Sequence, residues 1–128
     1  MNLDLVLLPG LYAVCRLNPE ADIPGWVAGD GFVSCTKTRS ETSIVCPQER
    51  VPDDVRSERD FRVLEVRGPL DFSLTGVLAS MVGPLAEEGI SVFAVSTFDT
   101  DYLLIREDVL ARASEALVRR GHHIIPAE

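Results

Sequence analysis

Apolar and polar positions change rhythm midway along this chain. The first half alternates like strands. Residues 3–8 form an apolar, β-compatible run, and Pro9-Gly10 marks a turn. In residues 11–17, Tyr12, Val14 and Arg16 alternate against Leu11, Ala13, Cys15 and Leu17. Residues 18–31 hold two prolines and three glycines, so they read as loop with one helical turn near 23–27. Residues 32–37 and 42–46 read as a hairpin around Thr38-Arg39-Ser40-Glu41. The charged stretch 47–60 contains Pro52 and reads as a connector with a short helix.

The second half has longer, cleaner periods. Residues 61–67 read as a strand covered on both faces, since Phe61, Val63, Leu64 and Val66 are all apolar. Leu74, Val77, Leu78, Met81, Val82, Leu85 and Ala86 then recur at helical spacing. Ser73 or Asp71 would cap this helix, Gly89 would follow its end, and Pro84 predicts a kink near Ser80. Residues 91–97 and 102–106 read as an antiparallel hairpin. Asp108 would cap a second helix with an apolar stripe of Val109, Leu110, Ala113, Ala116 and Leu117. Arg119 and Arg120 suit its C-terminal dipole, and Gly121 its end. Residues 122–125 form a last short strand before Pro126. The order is β-α-β-β-α-β, an α+β unit with both helices on one face of an antiparallel sheet.

Composition narrows the function classes. A chain of 128 residues suffices for one compact domain or two very small ones. The net charge of −8 and the lack of a basic face argue against nucleic acid. No run of ~20 apolar residues is present, which argues against a membrane partner, and no signal sequence is visible, so cytoplasm is the default. Cys15, Cys35 and Cys46 are an odd set without a CxxC pair, and read as reduced thiols in partly buried positions. His122 and His123 point to opposite faces of a strand and make a poor metal pair. No triad, P-loop or metal cluster appears. No catalytic residue, metal or cofactor is therefore expected.

Candidate chemistry concentrates in residues 68–101. A glycine-bearing loop opens the first helix, and a polar hairpin tip, Ser96-Thr97-Phe98-Asp99-Thr100-Asp101, follows the next strand. Side by side, these loops would form a small polar pocket at a helix N-terminus, which attracts an anion such as an α-carboxylate. Gly76 reads either as a point of close ligand approach or as a turn residue, like Gly68. Asp71 reads either as an acceptor for an ammonium group or as a cap, and Ser73 has the same two roles. Asp99 and Asp101 are either receivers of an ammonium or guanidinium, or members of a solvated turn; Asp101 is favoured over Asp99 for binding.

Along residues 68–76, 84–92 and 96–102 the chain resembles the tandem ACT-domain proteins. That group includes small bacterial proteins and the cytosolic arginine sensor of animals, with aspartokinase regulatory domains as more distant kin. The likeness extends to residues 11–17, Ile23-Pro24 and residues 41–46. It implies two ferredoxin-like βαββαβ units. Residues 1–58 would be a degenerate, strand-rich N-terminal module and 59–128 a C-terminal ACT module. It also implies a regulatory protein without catalysis, binding an amino acid or similar effector where two modules meet. On that resemblance the ligand residues are Asp71, Ser73, Gly76, Thr97, Phe98 and Asp101, the chain is a homodimer, and the helix-opening loop and Asp101 face each other across modules or chains. The alternative is an oligomerisation or protein-interaction module, with an unidentified protein target and no ligand.

Overall fold

The computed structural model describes residues 1–127. The chain divides into two compact units, one of Gly10–Phe61 and one of Met1–Pro9 with the residues from Arg62 on. The strand Ser57–Val66 gives its first residues to the former and its last to the latter.

The larger unit holds the expected β-α-β-β-α-β order. In chain order its elements are β1 (Asp4–Leu7), β5 (Ser57–Val66), α1 (Val77–Glu87), β6 (Phe93–Ser96), β7 (Asp101–Arg106), α2 (Leu110–Arg119) and β8 (His123–Pro126), while β2 (Tyr12–Leu17), β3 (Ser34–Lys37) and β4 (Thr42–Pro47) belong to the other unit. The strand at the start of the chain departs from the division at residue 58. β1 lies between β8 and β5, antiparallel to β5 through Leu5↔Val66 and parallel to β8 through Leu5↔Ile124. The reason is packing. Leu5 is fully buried in the same cluster as Leu64, Val66, Met81, Leu85, Leu103, Ile105, Ala113 and Leu117. On the other side of the sheet order, β7 pairs with β5, and β6 lies outermost, antiparallel to β7 through Phe93↔Leu104.

Helix ends follow local chemistry, with corrections. Gly89 and Gly121 adopt positive φ just past α1 and α2, as their positions predict. Neither Ser73 nor Asp71 caps α1: its N-cap is Gly76, and no side chain caps it. Asp108 does not cap α2 either, since a 3-10 turn at Glu107–Val109 leads into that helix. Pro84 lies inside α1, which stays helical to Glu87. Of the two histidines, His122 is buried and His123 exposed, as the alternation requires.

The smaller unit is antiparallel, with β2 (Tyr12–Leu17), β3 (Ser34–Lys37), β4 (Thr42–Pro47) and the first residues of β5 in the order β3-β4-β2-β5. Its β3–β4 turn is closed by Thr38, whose Oγ1 accepts from Ser40 N–H and Glu41 N–H, both at 3.1 Å. A 3-10 turn covers Gly25–Val27. Ala13, Cys15, Val27, Ile44, Cys46 and Val51 form the core, with Trp26 packed against it. The three thiols are free; Cys15 and Cys46 are buried, while Cys35 is exposed rather than partly buried. The Cys15 thiol donates to Cys46, which raises Cys15 and lowers Cys46. The connector contains the 3-10 turn Gln48–Arg50, and β5 begins at Ser57, four residues before the patterned strand.

Candidate functional site

One cavity of about 620 Å³ brings the two loops together within the larger unit. Leu70, Asp71, Phe72, Leu74, Gly76, Val77 and Leu78 line one side. Ser96, Thr97, Phe98, Asp99, Thr100 and Asp101 line the other. The expected seam between modules is therefore not needed to bring Gly76 and Asp101 to one place.

Backbone hydrogen bonds explain the juxtaposition. Leu70 N–H donates to the Asp99 carbonyl at 2.8 Å. Gly68 sits so close that a Cβ there would lie 3.2 Å from the Asp99 carbonyl oxygen and from Thr100 Cβ. Thr100 Oγ1 donates to the Val66 carbonyl at 2.6 Å and ties the hairpin tip to β5. The tip is closed by Thr97 N–H to the Thr100 carbonyl at 2.8 Å, with Thr97 Oγ1 donating to the same oxygen at 3.0 Å. Thr97 thus lines the cavity while its hydroxyl holds the turn.

The predicted residues take distinct places. Gly76 has φ +83°, and a Cβ there would meet nothing within 4 Å. Conformation rather than crowding requires glycine at that position. The first N–H groups of α1 start beside the cavity without a side-chain cap. Asp71 lines the wall. Its Oδ1 accepts from Ser73 N–H at 3.0 Å and Ser73 Oγ at 2.9 Å, and these bonds hold its carboxyl below the ordinary range. Ser73 lies outside the lining and orients Asp71. Asp101 accepts from Ser96 Oγ at 2.5 Å, which fixes its carboxylate at the rim.

Phe72 and Asp99, outside the residues favoured from sequence, also line the cavity. Phe72 is 79% exposed and Phe98 81%, with ring centroids 5.5 Å apart. Two aromatic rings left in water on facing loops suit ligand or partner contact better than core packing. Phe72 lies outside the apolar stripe of α1, and that was the available signal. The lining carries three carboxylates, from Asp71, Asp99 and Asp101, and no Lys, Arg or His side chain. Among the described residues no group of His, Cys, Asp and Glu could hold a metal, and no helix is long and apolar enough to cross a membrane.

Behind the hairpin, the Tyr102 hydroxyl donates to Glu65 Oε2 at 2.8 Å. Burial, then this bond, then the charges of Glu65 and Asp99 push the Tyr102 phenol up to about 12. The neutral phenol is favoured in the folded chain. Stability is therefore expected to hold below the ordinary phenol range near pH ~10 and to fall as pH rises toward 12. Phenolate absorbance during an alkaline titration measures this. Glu65→Gln should bring the Tyr102 transition to lower pH.

Comparisons with known proteins agree with this architecture. A family model described as ACT domain matches residues 56–119, half of the chain. A second, described as an N-terminal domain, matches residues 10–54. Subunit 1 of the cytosolic arginine sensor for mTORC1 of Homo sapiens is 36% identical over 78 residues. That match spans 57% of this chain and 24% of the sensor, so about a quarter of that curated relative is covered. A crystal structure of an Agobacterium tumefaciens protein is 39% identical with a TM-score of 0.94, covering 100% of this chain and 96% of that one. The regulatory subunit of aspartate kinase from Thermus flavus has a TM-score of 0.61 at 14% identity, over 94% of this chain and 97% of its own, and shares the fold.

Proposed function

Because the chain belongs to the ACT domain family, we propose that it is a non-catalytic regulatory protein whose cavity binds a free amino acid. The observation that carries this reading is the pairing of opposite polarities across one cavity. The uncapped N-terminus of α1 offers N–H groups and a positive dipole end to the α-carboxylate. Asp101, Asp99 and Asp71 offer charge-assisted acceptors to an ammonium or guanidinium. The exposed faces of Phe72 and Phe98 add cation–π attraction for the same cationic end. Asp71, Phe72, Gly76, Phe98, Asp99 and Asp101 touch the ligand in this proposal, while Ser73 and Thr97 shape the loops. The name of the arginine sensor makes arginine the first amino acid to test.

A homodimer fits the same reading. β6 is an edge strand, Phe-Ala-Val-Ser, without charge, proline or bulge to block pairing. A second copy there would also shield the two exposed phenylalanines. These same features favour the second reading, a protein-interaction module without a ligand.

Thermal shift over the common amino acids separates the two. At about a hundredfold above Kd, a ligand stabilises the fold by ~2.7 kcal/mol, well above detection. A hit supports the binding reading. A flat screen at millimolar concentration, with an oligomer by light scattering that no amino acid alters, supports the interaction module.

A further inference from the structure

Pro84 has no N–H to give the Ser80 carbonyl four residues back in α1. That carbonyl is partnered nonetheless, because His122 Nε2 lies 3.1 Å from it. The Nδ1 of the same ring lies 3.1 Å from Leu3 N. A backbone N–H can only donate, so Nδ1 is an acceptor and bears no proton. The ring proton is then on Nε2 and points at Ser80. His122 is 1% exposed, so water does not replace either bond. Its own backbone N–H donates to the Leu117 carbonyl at 3.2 Å, at the end of α2. One residue thereby joins the end of α2, the start of β1 and the middle of α1.

We propose that His122 is the positioning residue for the helical wall of the cavity. By standing in for the donor that Pro84 lacks, it fixes the first two turns of α1, which begin at the cavity with Val77 and Leu78. Without it, the part-buried Ser80 carbonyl would lack its partner in the first turn of the helix, and the turns before Pro84 would be free to shift. The significance of that wall for a ligand rests on the amino-acid reading above; the hydrogen-bond latch does not, and it is tested without ligand.

Two half-replacements divide the ring's roles. His122→Asn keeps an acceptor near the Nδ1 position and lacks the Nε2 donor. His122→Gln keeps a donor near Nε2 and lacks the acceptor. Pro84→Ala restores a backbone N–H to Ser80. Amide exchange of Ser80, Met81, Val82 and Gly83, measured by NMR on the whole chain, reads the wall directly. His122→Asn should speed exchange there about tenfold, the size expected for one intramolecular hydrogen bond. Adding Pro84→Ala should return those rates close to the native ones. Adding it to His122→Gln should change them little.

A residue that merely fills space would show no such selective rescue. The inference is overturned if Pro84→Ala leaves the His122→Asn rates unchanged. Should His122→Asn not fold, nitrogen-15 spectra of the native ring decide: a proton on Nε2 supports the latch, and one on Nδ1 overturns it. A latch that holds while no amino acid binds would sink the ligand reading instead.

Discussion

Leu85→Ala lowers the stability of the chain by about 2–5 kcal/mol, a drop in melting temperature on the order of 10 °C. Leu85 is fully buried in the core that both helices share with the sheet. Truncating it removes apolar contacts and leaves a cavity, since neighbours relax only in part. The main chain keeps its bonds in alanine, so the loss is one of side-chain packing. The Leu85 carbonyl accepts from Glu88 N–H at 3.1 Å and Ile90 N–H at 2.9 Å, so the same residue anchors the turn that ends α1. Chemical denaturation with an unchanged m-value would assign the loss to stability alone. A change below about 0.5 kcal/mol, the range of surface substitutions, would contradict the packing described here.

If the cavity binds an amino acid as proposed, Asp101→Asn is expected to leave the fold stable and weaken that binding roughly tenfold to a hundredfold. The substitution retains an oxygen for the Ser96 hydroxyl and removes the charge. A hydrogen bond to a charged group contributes about 1.5–3 kcal/mol, and that is the loss expected in affinity. Asp101 is half-buried at the rim, and water screens it only in part. Calorimetric titration of both chains with the same amino acid measures the difference. Equal affinities would move the cationic end of the ligand away from the hairpin tip.

Much of this architecture was legible where one physical signal dominated. The apolar stripe of α1 and the paired runs at residues 91–97 and 102–106 needed only periodicity. The turn around Thr38 needed only a side chain able to satisfy local N–H groups. Three features depended on partners distant in sequence. The polar residues Ser57 to Asp60 carry no strand pattern, yet they pair with β2 through Cys15↔Ser57 and Val14↔Glu58. The irregularity there is pinned by Asp60 at φ +68°, whose N–H donates to Gln48 Oε1 at 2.5 Å. Residues 3–8 read correctly as a strand, but nothing local says that it pairs with β8 and β5. The cap of α1 was misassigned because Asp71 and Ser73 both suit N-caps, and here they bond each other.

The site divides in the same way. The two loops were visible as polar breaks, and Asp71, Gly76, Thr97, Phe98 and Asp101 all line the cavity. Ser73 does not; its hydroxyl and N–H both donate to Asp71. The placement of both loops in one unit was hidden, since it is set by Leu70 N–H reaching the Asp99 carbonyl and by Thr100 reaching Val66. Both bonds end on backbone carbonyls distant in sequence, and residue type does not say which carbonyl is reached.

The most direct measurement is an NMR titration of the whole chain with arginine first and then the other common amino acids. The account predicts saturable shifts for one amino acid, largest at the amides of Val77 and Leu78 and of Thr97 through Asp101, and much reduced in Asp101→Asn. Shifts confined to other surfaces, or no saturable shift at millimolar concentration for any amino acid, would contradict it.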